Sequence, residues 1–198
     1  MQKALMEYAS QHILFLYIKK FIPGLSLLTG LAVIAALQEI GCHDISLKWP
    51  NDIFYQHKKL SGILIEIQAE SHGNSYAVIG IGINVNMIDD EQAISQPWIS
   101  LQKILGKYIN RNELAATLIH HLLVYLDEFN LYGFAPFIQK WCEKDYLQNQ
   151  MVTLKHAQQE ITGKVMGVSE QGHLLLELHD GNVQAFSSGD ASVMKRNK

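Results

Sequence analysis

The sequence predicts an α/β (α+β) fold in two parts: a mixed β-sheet backed by helices over residues 1–147, then a small β-barrel over 148–198. Three observations carry this. Short apolar runs separated by Pro, Gly, Asn and Asp fill the chain up to Val85, as strands and one buried helix would. From Asn112 the residues Leu114, Leu118, Leu122, Leu126 and Phe129 recur three or four apart, the period of a helix that buries one side. After Gln148 the helical period is gone, and short strands alternate with glycine-containing turns.

The elements follow in order. Ile13–Ile18 is an apolar run that reads as a core strand, opening so close to the start that little precedes it to pair with it and leaving an apolar edge prone to self-association. Pro23–Gly24 breaks the chain, and small and branched residues then form a helix to Gln38–Glu39–Ile40, with Gly41 suited to close it. Its apolar core, Leu25–Leu37, is interrupted by Ser26, Thr29 and Gly30 and falls short of the roughly 18–20 residues that span a bilayer, so it is a buried helix. Ile45–Trp49 is a strand, Pro50–Asn51–Asp52 a turn and Ile53–Tyr55 the next strand. Gln56–Lys59 turns the chain into a return strand, Gly62–Glu66. Ala69–Ser75 reads as a flexible loop and Tyr76–Val85 as a strand whose Gly80 and Gly82 share one face. In the long helix Ala115, Ile119 and Leu123 widen the apolar stripe, and Phe134–Tyr146 continues as a second helical segment around Trp141. Strands at Val152–Lys155, Glu160–Val168, His173–Leu178 and Val183–Phe186 complete the chain.

Composition narrows the function. With 48% apolar and 18% charged residues the chain can bury a core, and 16 basic against 19 acidic side chains give a net charge of −3, too little positive field to gather a phosphate backbone. Nucleic acid is not the expected partner, and no membrane is. Cys42 and Cys142 form no CxxC and no zinc spacing, which fits a reducing, cytoplasmic setting.

Two segments can carry chemistry. Lys48–Trp49–Pro50–Asn51–Asp52 puts an ammonium, an amide and a carboxylate at the end of one strand, stiffened by proline, and Lys59 then precedes Gly62, where a missing Cβ allows close approach. Two lysines and a carboxylate on adjacent strand ends suit an anionic substrate; the plain alternative is a surface hairpin with solvated charges. Gly80–Ile81–Gly82–Ile83–Asn84–Val85–Asn86 lacks the third glycine of a dinucleotide fingerprint, but an Asn at its end can offer donor and acceptor to a planar ring edge. A tightly packed central strand explains it equally. His120 and His121 are adjacent on a helix and receive no role, and Met6 and Met87 read as packing.

The strings Lys48–Asp52, Lys59–Leu60–Ser61–Gly62–Ile63–Leu64–Ile65–Glu66 and Gly80–Asn86, in this order and at these intervals, closely resemble the catalytic domain of biotin protein ligases. The resemblance runs from Gly24 to the C-terminus, takes in Trp98 and the long helix, and ends in an SH3-like barrel at Gly189–Val193. It implies a class II synthetase-like catalytic domain and a two-step acyl transfer: biotin's carboxylate attacks the α-phosphate of ATP to give biotinyl-5′-AMP, and a lysine of the biotin carboxyl carrier protein of acetyl-CoA carboxylase then attacks that anhydride. Bringing two anions together calls for positive charge, supplied by Mg²⁺ and lysines. On this resemblance Lys59 would lie against the biotin carboxylate and α-phosphate, with Lys48 and Asn51 near phosphate and metal. Asp52 would orient the incoming amine, Asn84 would read the adenine edge and Trp98 would pack on the purine. Gly62, Gly80 and Gly82 would admit the ligand.

The sequence departs from that pattern in one respect. The Gly-Arg-Gly-Arg-type loop with its Arg-x-Trp, which closes over biotin in the family, is not found in these residues and by alignment would precede Met1. The chain therefore reads as a ligase incomplete at its N-terminus, with no helix-turn-helix and no expected DNA binding, and with a homodimer through the sheet edge as its expected assembly. A second reading is a truncated, inactive remnant or carrier-interaction module lacking that loop, and without the loop these residues alone are expected neither to capture biotin tightly nor to make the adenylate. A lipoate ligase or octanoyltransferase shares the fold, but Lys48–Asp52 and the barrel argue against it.

Overall fold

The protein is described by a computed structural model that covers residues 10–16, 23–69, 75–88 and 96–194. Met6, Tyr17, Ile18 and the centre of the anticipated loop at 70–74 lie outside these residues, whereas Ala69 and Ser75, expected in that loop, end and begin strands.

The first sheet joins β1 (Ser10–Leu16), β5 (Ser75–Ile83), β4 (Lys58–Ala69), β3 (Asp52–Tyr55) and β2 (Ile45–Lys48), in that spatial order. The sheet expected to be mixed is antiparallel along every ladder, because each neighbour follows by a hairpin or folds back onto β5. Among the described residues, parallel pairing is confined to two isolated bridges, Leu47 with Asp145 and Lys59 with Trp98. The strand anticipated near the start pairs with β5, with Ile13 opposite Gly80.

Alternation sorts the sheet into two faces. Leu47, Ile53, Ile63, Ile79, Ile81 and Ile83 are buried on one, against helix α1 (Leu25–Glu39). That helix buries residues on nearly every side, since it lies between the sheet, α3 (Arg111–Tyr132) and α4 (Ile138–Cys142). A short helix α2 (Leu101–Leu105) precedes α3. The α3 stripe is narrower than its sequence suggests: Leu114, Leu118, Leu122, Leu126 and Phe129 are buried together with Tyr125, while Ile119 and Leu123 are exposed. The segment Phe134–Tyr146 is not one helix. It opens as a 3-10 turn at Ala135–Phe137, is α-helical only to Cys142, and then unwinds because Leu47 takes its backbone partners from Lys144 and Tyr146.

The second sheet comprises β6 (Met151–His156), β7 (Gln159–Val168), β8 (Leu174–Glu177), β9 (Val183–Phe186) and β10 (Asp190–Val193), antiparallel throughout in the order β10-β6-β7-β8-β9. It shares one hydrophobic cluster with the first part: Val152, Leu154, Val165, Leu174 and Phe186 pack into the same core as α1 and Trp141. The joint is tight. Gly24, at the start of α1, and Gly172, in the β7–β8 turn, both have positive φ (84° and 77°), and a Cβ on Gly172 would lie 2.8 Å from Gly24 Cα. Trp49 Nε1 donates to Gly172 O at 3.0 Å. No helix among the described residues is long and apolar enough to cross a membrane.

Candidate active site

The second face of the first sheet carries the candidate residues, and strand register puts them in a row. Lys48 pairs with Asp52, Asp52 with Gly62, and Gly62 with Gly82. Directly paired residues project to the same side, so an ammonium and a carboxylate stand at one end of a strip that is bare backbone at the other. Gly80 extends the strip along β5, opposite Leu64, whose side chain is exposed.

Lys59 reaches this face through a register break. Ile53 pairs with Ser61 but Phe54 with Lys59, leaving Leu60 unmatched. Simple alternation would put residues 59 and 62 on opposite sides. The extra residue reverses that, burying Leu60 in the core and placing Lys59 beside Asp52, with Nζ 2.6 Å from Oδ1. The pair is neither fully wet nor dry, at 24% and 17% side-chain exposure, so it is preformed yet accessible. A Cβ on Gly62 would sit 3.3 Å from Lys59 Cε and 3.5 Å from Asp52 Oδ1. The glycine thus leaves room immediately beside the ion pair.

The break also frees the Lys59 backbone for another partner. Its N–H donates to Pro97 O and its carbonyl accepts from Ile99 N, which sets Trp98 alongside Lys59. Asn84 locks this arrangement: its Nδ2 donates to Lys59 O (3.3 Å) and Ile99 O (3.2 Å), and its own N–H to Leu60 O. The amide donor expected to read a ring edge is therefore occupied by backbone, leaving the carboxamide oxygen for any ligand. Asn86 has a similar structural task, exchanging two hydrogen bonds with the Ile109 backbone. Asn51 is held by Nδ2 donating to Ile63 O at 2.8 Å and by its carbonyl accepting from Ile63 N.

Lys48 is braced from afar. Its Nζ lies 3.4 Å from Asp190 Oδ1 on β10 and 5.6 Å from the Phe54 ring centroid, and Phe54 stacks on Tyr146, whose hydroxyl is 2.8 Å from His57 Nδ1. Sequence reading gave neither Asp190 nor Tyr146 a place in the site, because residues 142 positions apart leave no local signal of contact. His121, given no role, pairs with Glu39 Oε2 at 2.7 Å and ties α3 to the end of α1.

A resident metal is poorly served here. The one carboxylate in the row is paired with Lys59, a second ammonium stands opposite it, and no group of three or more His, Cys, Asp or Glu able to hold a metal occurs among the described residues. Neither thiol is an activated nucleophile: burial pushes Cys42 up to about 11, helped by Asp44, and burial likewise raises Cys142. The arrangement is suited to holding an anion against ammonium groups beside a preformed carboxylate.

The family model "Biotin/lipoate A/B protein ligase family" matches residues 14–84, and "Biotin protein ligase C terminal domain" matches 148–194. The bifunctional ligase/repressor BirA of Escherichia coli K12 is 38% identical over 176 residues, 88% of this chain and 54% of BirA. The chain thus spans about half the length of the curated relatives it matches. Among solved structures, biotin protein ligase from Aquifex aeolicus superposes with a TM-score of 0.82 at 33% identity, covering 93% of this chain and 82% of that one. The same enzyme in complex with biotin and ATP gives 0.80 at 32% identity, over 93% and 78%. The row of Lys48, Asp52, Gly62 and Gly82 lies within the first matched segment and β6–β10 within the second, and on these grounds the chain belongs to the biotin protein ligase family.

Proposed function

We propose that this chain serves the ATP-dependent ligation of biotin to a lysine of the biotin carboxyl carrier protein of acetyl-CoA carboxylase, through biotinyl-5′-AMP. One observation carries the reading: the register break that brings Lys59 onto the bare-backbone face beside Asp52. A carboxylate and a phosphate repel each other, and a preplaced ammonium lowers that cost without reorganising at the moment of reaction. Lys59 then lies between the biotin carboxylate and the α-phosphate, with Lys48 and Asn51 on the phosphate side. Once the carboxylate has become an acyl phosphate, Asp52 is placed to orient the attacking lysine amine. Gly62, Gly80 and Gly82 admit the ligand close to backbone, and Asn84 offers its carboxamide oxygen to the adenine while Trp98 packs on the purine. Magnesium, on this reading, arrives with the triphosphate as its counter-ion, because the local donors do not form a cage.

We read residues 1–147 as the catalytic domain and 148–198 as an SH3-like appendage that reaches the site through Asp190. The setting is cytoplasmic, with homodimerisation through the sheet edge. Biotin-dependent exchange of pyrophosphate into ATP, in a version that also carries the family's glycine/arginine loop, is the test. Exchange that Lys59→Ala lowers by a factor on the order of a hundred or more, with little change in melting temperature, supports the proposal. Exchange that is absent, or that falls only in step with stability, overturns it and leaves carrier binding without chemistry.

A further inference from the structure

Trp98 enters the site with its backbone fixed and its ring still to be oriented. The hydrogen bonds from Lys59 N to Pro97 O and from Ile99 N to Lys59 O clamp the residues on either side. What remains is rotation about the side-chain torsions. Helix α2 begins just beyond. Ser100 is its N-cap, its Oγ donating to Met87 O at 2.6 Å and accepting from Lys103 N at 3.2 Å. This cap fixes where Lys103 stands relative to Trp98, and the Lys103 ammonium lies over the indole, 4.4 Å from the ring centroid. The distance is well inside the range at which a cation is drawn to the negative face of an aromatic ring.

We propose that Lys103 is a positioning residue for nucleotide binding: by covering one face of Trp98 it sets the plane of the indole and leaves the opposite face as the one on which a purine stacks. The inference rests on the reading that Trp98 packs on the nucleotide. A half-buried ring anchored at its backbone can still rock about its torsions, and a ligand must pay to stop it. Lys103 holds the ring beforehand, so less ordering remains to be done on binding. Its charge occupies the one face, so a ring stacking there would have to displace an ammonium from its most favourable position. Substitution at Lys103 leaves the backbone clamp at Lys59 and the Lys59–Asp52 pair, where the biotin end of the ligand is proposed to lie, unaltered in sequence.

The test uses the intact chain with Lys103→Met, which keeps length and removes charge, and Lys103→Arg, which keeps charge and the capacity to stack. Trp49 and Trp141 are 2% and 1% exposed, so acrylamide, a neutral quencher, reports on the half-buried Trp98. The expected result is that Lys103→Met makes fluorescence more quenchable, raises the ATP concentration needed to protect the ring about three- to tenfold, leaves biotin affinity within about twofold, and that Lys103→Arg restores both readouts. Unchanged quenching in Lys103→Met, or changed quenching with unchanged ATP protection, overturns the inference while the ligase reading stands. If ATP fails to protect Trp98 in the unsubstituted chain, the nucleotide reading falls and takes this inference with it.

Discussion

Individual side chains in this protein separate into those that stabilise and those that are tolerated at a cost, and Asp145 is the clearest of the second kind. It closes the turn after α4, where Leu147 N donates to its Oδ1, while its Oδ2 is buried without a partner, as is Gln148 Oε1. Burial pushes its carboxyl from 3.8 up to about 7, against a smaller opposing effect of the Leu147 N–H. The folded state therefore holds a proton that the unfolded chain releases near pH 4, so this carboxyl's contribution to stability is fullest below that pH and is lost as pH rises towards 7. Fully expressed, the loss is on the order of 4 kcal/mol. Asp145→Asn keeps the oxygen that accepts from Leu147 and removes the charge. The variant is expected to match the unsubstituted protein near pH 4 and exceed it progressively up to pH 8, as read from urea midpoints at each pH; parallel curves for the two proteins would show that the carboxyl ionises without penalty. The same residue scale explains what could be read in advance. Lys48, Asn51, Asp52 and Lys59 were legible as candidates because they sit in two short strings whose residue types match a known chemistry, whereas Asp190 meets Lys48 from 142 positions away and Lys103 meets Trp98 only once the Ser100 cap sets α2.

At the level of elements, alternation recovered β2 to β9 and the 3.6 period α3, whereas α1, buried on nearly every side, was legible as an apolar run between Pro23–Gly24 and Gly41. The failures are as physical. The run Phe134–Tyr146 is apolar enough for a longer helix, yet the backbone at 144–146 is worth more as a partner for Leu47 at the edge of the first sheet than as another helical turn. The β3–β4 turn falls inside the expected Gln56–Lys59 stretch but is tighter, since Lys58 and Lys59 already belong to β4; Gln56 and His57 make it with positive φ (44° and 65°), although neither is the Gly or Asn usual there. The register break at Leu60 was invisible for a related reason: an extra residue breaks the alternation by which a strand is recognised, and here it is the feature that aims Lys59. Gly62 tests whether that aim matters. The three atoms nearest a Cβ at this position all belong to side chains, Lys59 Cε at 3.3 Å, Nζ at 3.4 Å and Asp52 Oδ1 at 3.5 Å. Gly62→Ala should leave the fold within about 1 kcal/mol of the original, since these atoms can give way. It should nonetheless reduce biotin-dependent exchange by a factor on the order of ten to a hundred, because it fills the strip on which the ligand is proposed to lie. Full activity in a folded Gly62→Ala variant would place the ligand elsewhere.

Across the whole molecule, the question is whether the two sheets behave as one body. The packing says they do: a single hydrophobic cluster runs from the Ile79–Ile83 face of β5 through α1 and Trp141 to Val152, Leu154 and Val165, so neither sheet can lose its contents without exposing the other's. The contact that seats them is the approach of Gly172 to Gly24, reinforced by the Trp49 indole donating to Gly172 O. Gly172→Ala imposes two costs, a residue with a side chain at φ 77° and a Cβ forced to 2.8 Å from Gly24 Cα and 3.1 Å from Gly24 N, backbone atoms that cannot swing aside. Gly181, in the β8–β9 turn, separates the two costs, because its φ is 79° but nothing lies within 4 Å of where its Cβ would be. Gly181→Ala should therefore cost about 1 kcal/mol, the conformational penalty alone, and Gly172→Ala about 2–4 kcal/mol, the remainder being the docking term. Calorimetry should show one cooperative transition for the unsubstituted protein and for Gly181→Ala, and either a much larger fall in melting temperature or two separated transitions for Gly172→Ala. Because Lys48 reaches Asp190 only while the second sheet is seated, Gly172→Ala should also depress adenylate formation below that of Gly181→Ala at temperatures where both remain folded. Equal effects of the two substitutions on melting and on activity would mean that the sheets are held by the shared core alone and that the glycine contact is incidental.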